Sequence, residues 1–363
     1  MPFTVVVAPD SFKGSLTARE VADAIASGWK SVRPDDLLLL EPQADGGEGT
    51  LDAVEAAVSG AARYHLDHVT GPDGRPTAGE WLQLPDGTAV VELAQCCGLP
   101  LMLHPDAMGA TTRGLGEVIR AALENGATSL VIGLGGSAST DGGAGALMAL
   151  GLELVDEQGD YVRDGGRGLN CIVNVDHTGL LAAPAGGVTL LTDVNAPLLG
   201  PTGAAAVFGP QKGAGAPEVQ RLDAALTHFA HLMGGDRARP GAGAAGGAGF
   251  GFAAAWGART APGADYIAAL TNLDARLAQA DLLITGEGRF DEQSRGGKLL
   301  GKLLQRAATA RVPTAVIAGQ IAAHTGGWET SLAELAGSVD AAMAEPTRWL
   351  HEAGAQAARE LGT

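Results

Sequence analysis

The sequence predicts an α/β protein whose two ends build one parallel-sheet domain and whose middle forms a second α/β domain inserted into it. Three observations carry that reading. Strand-length apolar runs alternate with helical patterns near both termini. The stretch 62–94 instead alternates residue by residue, as antiparallel strands do. And 363 residues exceed the roughly 250–300 at which a single core stops growing, so two domains are expected.

The elements follow in order. Thr4-Val5-Val6-Val7 reads as a short buried strand, and Ala8-Pro9-Asp10-Ser11-Phe12-Lys13-Gly14-Ser15 as the turn that leaves it. Thr17 and Glu20 have the spacing of a capping box that opens a helix. Leu37–Leu40 is a second buried strand. It runs through Pro42-Gln43-Ala44-Asp45-Gly46-Gly47-Glu48-Gly49-Thr50 into a helix with Leu51, Val54, Ala57 and Val58 on one face. Within 62–94, Pro85-Asp86-Gly87 turns a hairpin. A helix near 112–125 leads to the strand Ser129–Ile132, and 152–193 holds further short strands. The glycine-rich stretch 234–251 reads, on composition alone, as a flexible linker. Asp281–Ile284 and Val312–Gly319 are C-terminal strands, and Ser338–Ala342 reads as another short one. No repeat of fixed period is visible.

Composition narrows the function. The 24 basic and 41 acidic residues leave a net charge of −17, which disfavours nucleic acid and anionic membrane as partners. Glycine, at 55 residues, is about twice its ordinary share. Much of that excess follows strands, where backbone turns tightly or approaches a ligand. Cys96, Cys97 and Cys171 form no zinc-binding pattern, and adjacent cysteines do not bridge easily, so reduced buried thiols are expected. Met1-Pro2-Phe3-Thr4 carries no charged leader and no apolar run approaches 18 residues, so a cytoplasmic protein is expected.

Open α/β sheets bind ligands beyond the carboxyl ends of their strands, and the chemistry-bearing residues cluster there. The turn Asp10–Ser15 collects an acid, two hydroxyls, a lysine and a glycine, which suits an anion, phosphate above all. Gly133–Gly143 meets the loose dinucleotide pattern Gly-x-Gly-x-x-Ala, with Asp156 at about the right distance, but abundant glycine makes chance matches common. The same geometry serves any phosphate at a helix N-terminus. Asp193 and Asn195 project to one side of a strand end, where capping a turn is the structural alternative. Lys212, in Phe208-Gly209-Pro210-Gln211-Lys212-Gly213, is either a phosphate ligand or simply solvated. Thr285–Ser294 adds three acids and Arg289 at the end of a buried strand. There is no Gly-x-x-x-x-Gly-Lys-[Ser/Thr] loop and no His-Arg-Asp loop, and Gly213-Ala214-Gly215-Ala216 lacks the aspartate of a ribokinase-like turn. Any use of ATP therefore relies on another kind of phosphate loop.

Taken in order, Ala8–Ser15, Pro42–Thr50, Gly135–Gly143, Asp193–Gly200 with Phe208–Lys212, Pro240–Gly247 and Thr285–Ser294 resemble the successive motifs of the bacterial glycerate kinases of type 1, over nearly the whole chain. The resemblance implies phosphorylation of D-glycerate, usually to 2-phosphoglycerate, with ATP and Mg²⁺, in glyoxylate or sugar-acid breakdown. It implies a Rossmann-like three-layer domain, expected at 1–65 and 275–363, an inserted α/β domain at 66–274, and an active site in the cleft between them. It also replaces the linker reading, since Pro240–Gly247 matches an ordered family segment. Ser139-Thr140 stands where the family usually has Thr-Asn, Asp106 where it usually has Asn, and Cys96-Cys97 in a segment that is usually plainer; these differences concern local contacts. Oligomeric state is left open between monomer and homodimer.

Phosphoryl transfer needs charge neutralisation, a metal, in-line positioning and an acceptor for the hydroxyl proton. The expected catalytic residues are Asp193 as base, Lys13 on phosphate charge, and Asp45. Asp10, Ser11, Gly46, Gly47, Arg289 and Asn195 are expected to bind glycerate, and Gly135, Gly136, Ser137, Asp141 and Lys212 the nucleotide. Glu48, Glu287 and Asp291 are expected on magnesium, a hard cation that takes one or two carboxylates plus waters. The alternatives are a nicotinamide-dependent oxidoreductase reading the Gly133 motif and a non-catalytic two-domain binding protein. The first explains neither the Asp10–Ser15 turn nor the Thr285–Ser294 acids, and the second is disfavoured by the absence of an export signal and by so many strand-end carboxylates.

Overall fold

The structure, a computed structural model, describes residues 2–295 and 299–362. The chain divides into two compact units. The first comprises 1–45, 52–59 and 264–363, the second 46–51 and 60–263. Strands β1 (Thr4–Val7) and β2 (Leu37–Leu40) belong to the first. The second holds β3 (Ala62–Thr70), β4 (Pro76–Gln83), β5 (Thr88–Glu92), β6 (Ser129–Gly133), β7 (Glu153–Val155), β8 (Asn174–Asp176), β9 (Val188–Leu191) and β10 (Arg259–Ala261). The chain returns to the first unit with β11 (Leu282–Phe290), β12 (Thr314–Ile321) and β13 (Trp328–Ser331).

The first unit is a five-stranded parallel sheet in the order β13-β12-β11-β1-β2, covered on both faces. Successive strand residues point to opposite faces, and β1 shows it. Val5 and Val7 share a core with Val21, Ile25 and Trp29 of the helix Ala18–Val32 and with Leu350 and Ala353 of the helix Pro346–Leu361. Val6 and Ala8 pack on the other side with Ala264, Ala268, Leu299 and Leu303. The helix Gly263–Leu270 therefore joins the first unit, and the junction lies near 264 where the sequence reading drew it at 275.

The second unit is a six-stranded sheet in the order β10-β9-β6-β5-β4-β3. Its first four strands are parallel, and β4 and β3 continue it as antiparallel hairpins. The turn at Pro85–Gly87 joins β4 to β5, with the Gly87 N–H donating to Leu84 O and the Thr88 N–H to Asp86 Oδ1. β7 and β8 form a separate two-stranded ribbon. Among the described residues no helix is long and apolar enough to cross a membrane.

Two local expectations fail for identifiable reasons. Ser338–Ala342 is not a strand: Ser338 Oγ accepts from the Ala341 N–H at 3.1 Å and caps a helix, Val339–Ala344. The strand that pairs with the outer edge of β12 is β13, whose one apolar residue, Trp328, gives no strand pattern. β11 does not stop at Ile284 but pairs with β12 as far as Phe290. Gly286 permits this, because a Cβ there would lie 1.9 Å from Ile317 O. The stretch 234–251 is ordered, as the resemblance implies: its last part forms the 3₁₀ turn Ala244–Gly247 and begins the buried helix Ala248–Trp256.

Candidate active site

In the first unit the ends of β1, β2 and β11 come together. The Ala8 N–H donates to Ile284 O, the Asp10 N–H to Gly286 O, and the Gln43 N–H to Pro9 O, all at 2.8–2.9 Å. These bonds set Asp10, Asp45 and Glu287 side by side at the carboxyl edge of the sheet. The electrostatics at Asp10 reflect these neighbours. The Asp10 carboxyl is pushed up to about 7, first by burial and then by the Asp45 and Glu287 charges, against the pull of Lys13 and the Ser11 N–H. Ser11 is buried and donates its N–H to Asp10 Oδ1 at 2.7 Å.

Lys13 sits at the exposed tip of a closed turn. The Phe12 N–H donates to Leu16 O and the Ser15 N–H to Phe12 O, while Gly14 takes φ +77°. The capping box that follows forms as its spacing requires, with the Glu20 N–H on Thr17 Oγ1 and the Thr17 N–H on Glu20 Oε2. Glu287 and Arg289 lie on one face of β11, opposite the buried Phe290. Asp291 accepts the Ser294 N–H at 3.2 Å and so helps close the turn beyond β11.

The second unit gathers the other expected residues at the carboxyl ends of β5, β6 and β9. Gly46 and Gly47 lie directly on the turn after β6. The Gly135 N–H donates to Gly46 O at 2.9 Å, and Cβ atoms at Gly133 and Gly135 would fall 2.6 Å from Gly46 O and 2.4 Å from Gly47 Cα. The paired glycines thus let two backbones touch. Glu92, which the sequence reading missed, holds this junction: its buried carboxylate accepts the N–H groups of Gly49 and Leu51 at 3.2 and 3.1 Å. An acid closing the apolar run Thr88–Glu92 was its only sequence signal. Glu48 is exposed and belongs to this unit, whereas Glu287 and Asp291 belong to the other. Among the described residues no group of three or more acids, histidines or cysteines is arranged to hold a metal by itself.

Lys212 is 2% exposed and far from solvated. Its Nζ donates to Ser137 Oγ at 2.8 Å and to Ser139 O at 2.5 Å, so it grips the turn Gly135–Gly143 from within. Burial pulls its pKa down to about 7, while the Asp141 charge acts in the opposite direction. Asp141 is also fully buried, and burial raises its pKa. Its carboxylate accepts from the Thr112 N–H and hydroxyl and from the N–H groups of Gly143 and Gly145. Both residues shape the loop from behind, and its Gly135–Ser137 backbone forms the outer rim. Asp193 lies two residues beyond β9, half-buried, and Asn195 is exposed. The hydroxyl of Thr192 accepts the Val194 N–H at 3.1 Å, so this turn has a capping group other than Asp193.

Acids, hydroxyls and glycine backbone at the carboxyl ends of parallel strands define an α/β enzyme that handles small anionic substrates. The sequence profile of the glycerate kinase family matches residues 5–362. The chain is 41% identical over 333 residues to the glycerate 2-kinase of Escherichia coli K12, covering 89% of this chain and 86% of that one. It is 42% identical over 326 residues to the glycerate kinase of Bacillus subtilis 168, covering 87% and 85%. A crystal structure described as glycerate kinase 2 from Salmonella typhimurium LT2 superposes with a TM-score of 0.83 at 38% identity, over 100% of this chain and 99% of that one. The chain belongs to the glycerate kinase family, a family of kinases.

Proposed function

We propose that this enzyme transfers the γ-phosphoryl group of ATP to the 2-hydroxyl of D-glycerate, giving 2-phosphoglycerate and ADP, in the cytoplasm. The observation that carries the proposal is the convergence of Asp10, Asp45 and Glu287 beside the Lys13 turn in a chain of this family. The name of the Escherichia coli relative supports the 2-position.

In this reading the glycerate hydroxyl oxygen attacks the γ-phosphorus in line. The bond to the β,γ-bridging oxygen breaks, and the hydroxyl proton passes to the Asp193 carboxylate. Lys13, exposed at its turn tip, meets the phosphate charge. The N–H groups of Gly135 and Gly136 with Ser137 cradle the nucleotide, and Lys212 and Asp141 keep that loop in shape. Ser11, Arg289, Asn195 and the Gly46–Gly47 backbone orient glycerate.

Magnesium fits the donor set. Asp10, Asp45 and Glu287 are hard oxygen donors, and the Asp45 and Glu287 charges help raise the Asp10 carboxyl, a condition that a divalent cation relieves. Asp45 and Glu287 would hold it, together with waters and phosphate oxygens, and Asp291 is close in sequence; when bound it neutralises phosphate charge. A dinucleotide reading is weakened by Asp156, whose carboxylate accepts the N–H groups of Gln158 and Asp160 in a turn beyond β7. The test is direct. ATP should be consumed only with D-glycerate and a divalent metal present, and phosphorus NMR should show 2-phosphoglycerate. Turnover of NAD with hydroxy acids and none of ATP would reject the reading.

A further inference from the structure

The segment Gly241–Gly247 touches neither glycerate nor nucleotide in the scheme above, yet it is built into both loops that do. At one end Gly243 donates its N–H to Ala196 O at 3.0 Å, and a Cβ on it would lie 2.3 Å from Pro197 O. That backbone belongs to the turn carrying Asp193 and Asn195. Gly241 lies against the same turn, where its Cβ would meet Val194 O at 3.5 Å and Thr192 Cγ2 at 3.6 Å. At the other end Gly246 O accepts the Gly142 N–H at 3.0 Å, and a Cβ on Gly246 would lie 2.1 Å from Ser139 O and 2.6 Å from Thr140 Cα. That backbone belongs to the loop held by Lys212.

Between the two contacts the chain is rigid. Ala245 takes φ 51°, ψ 45°, a left-handed conformation that costs any residue with a Cβ. The segment is anchored on the buried helix Ala248–Trp256, where the Phe250 N–H donates to Ala242 O at 3.0 Å and a Cβ on Gly249 would lie 2.2 Å from Gly241 O. Stored strain of this kind survives only where the surroundings over-determine the backbone.

Resting on the kinase reading, we infer that Gly241–Gly247 is a positioning strut: Gly243 sets the Asp193 turn, Gly246 sets the nucleotide loop, and the rigid stretch between them fixes one relative to the other. Gly243 and Gly246 are positioning residues, since neither touches a reacting group. Their glycine identity is dictated by contact with another backbone, which cannot move aside as a side chain can.

Separate substitutions at the two ends test the strut. Displacing a reacting group by about 1 Å costs up to ~10²-fold. G243A should therefore lower kcat/KM for glycerate at least ~10-fold while KM for ATP stays within ~2-fold. G246A should raise KM for ATP at least ~10-fold and leave KM for glycerate within ~2-fold. A purely structural role predicts something else: lower melting temperature with unchanged constants per folded molecule, or equal damage to both substrates. Either result would overturn the inference. If G246A does not fold, G243A carries the test alone, because Gly243 has φ −79° and alanine there adds no dihedral strain to the contact with Pro197 O. Amide hydrogen exchange separates failure of the strut from failure of the kinase reading. Whether or not the wild type phosphorylates glycerate, the amide at position 243 should exchange faster in G243A than in the wild type, and Gly142 faster in G246A. Unchanged protection at both amides would reject the strut; an inactive wild type would reject only the kinase reading.

Discussion

At the scale of single residues, Asp193 and Lys212 were both visible in the sequence, but only one kept its expected surroundings. Asp193 stands beyond a strand end, beside a turn already capped by Thr192. Asp193→Asn should therefore keep the melting temperature and lower kcat by ~10²–10⁴, the usual worth of a general base. A falling melting temperature with kcat intact would mark Asp193 as structural. Lys212 looked like a solvated or phosphate-binding lysine, because nothing in Pro210-Gln211-Lys212-Gly213 shows that Ser137 and Ser139, more than seventy residues earlier, close over it. Its burial has a consequence for stability. The folded-state pKa near 7 lies below the ordinary 10.5, so between those values the unfolded chain holds a proton that the folded chain lacks. This contribution is complete above pH 10.5, is lost as pH falls toward 7, and is level below that. Urea unfolding between pH 7 and 10 should show stability rising by at most about 1.4 kcal/mol per pH unit. Lys212→Met should flatten that slope. Its overall offset would report the lost hydrogen bonds, and an unchanged slope would show that Lys212 titrates normally.

At the scale of elements, buried strands and capped helices were legible where local chemistry decides them. Val5–Val7 and the Thr17–Glu20 box form as their residues dictate, whereas Leu37–Leu40, expected as a buried strand, forms the edge of its sheet with Leu37 exposed and the other three half-buried. Elements decided by a distant partner were not. β11 runs on through Thr285–Phe290 because β12 is there to pair with it, and Val339–Ala344 is helical although its length and valine suited a strand. Gly28 and Gly354 make the same point inside helices, where glycine normally costs stability. The helices Ala18–Val32 and Pro346–Leu361 cross so closely that a Cβ on Gly28 would lie 1.9 Å from His351 O, and one on Gly354 2.2 Å from Ile25 O. Helix propensity alone would make Gly28→Ala stabilising by ~1 kcal/mol. The contact is with a backbone carbonyl, and overpacking of this kind costs ~1–3 kcal/mol or more. The variant should melt several degrees lower, at roughly 2–4 °C per kcal/mol for a domain of the first unit's size. A higher melting temperature would show that the two helices part without penalty.

At the scale of the whole molecule, the sequence made two α/β units and a discontinuous first unit legible through its alternation of strands and helices at both ends. It could not show that 46–51 belongs with the second unit, since that follows from Gly46 and Gly47 meeting Gly135 and from Glu92 holding Gly49 and Leu51. Nor could it show that 264–274 belongs with the first, which follows from Ala264 and Ala268 sharing a core with Val6. Six motifs in family order were enough for the family, because order over the full length is harder to meet by chance than any one glycine-rich match. The net charge of −17 bears on ligands as well. A chain this acidic gains little from nonspecific attraction to anions, so any anion that stabilises it must do so through a built site. A ligand that binds only the folded state at ~100 times its Kd adds about 2.7 kcal/mol. ATP with Mg²⁺ should therefore raise the melting temperature by several degrees, D-glycerate should raise it separately, and NAD should leave it unchanged. Stabilisation by NAD comparable to that by ATP would restore the dinucleotide reading of Gly133–Gly143. Stabilisation by ATP that survives without a divalent cation would mean that Asp45 and Glu287 do not hold a metal during nucleotide binding.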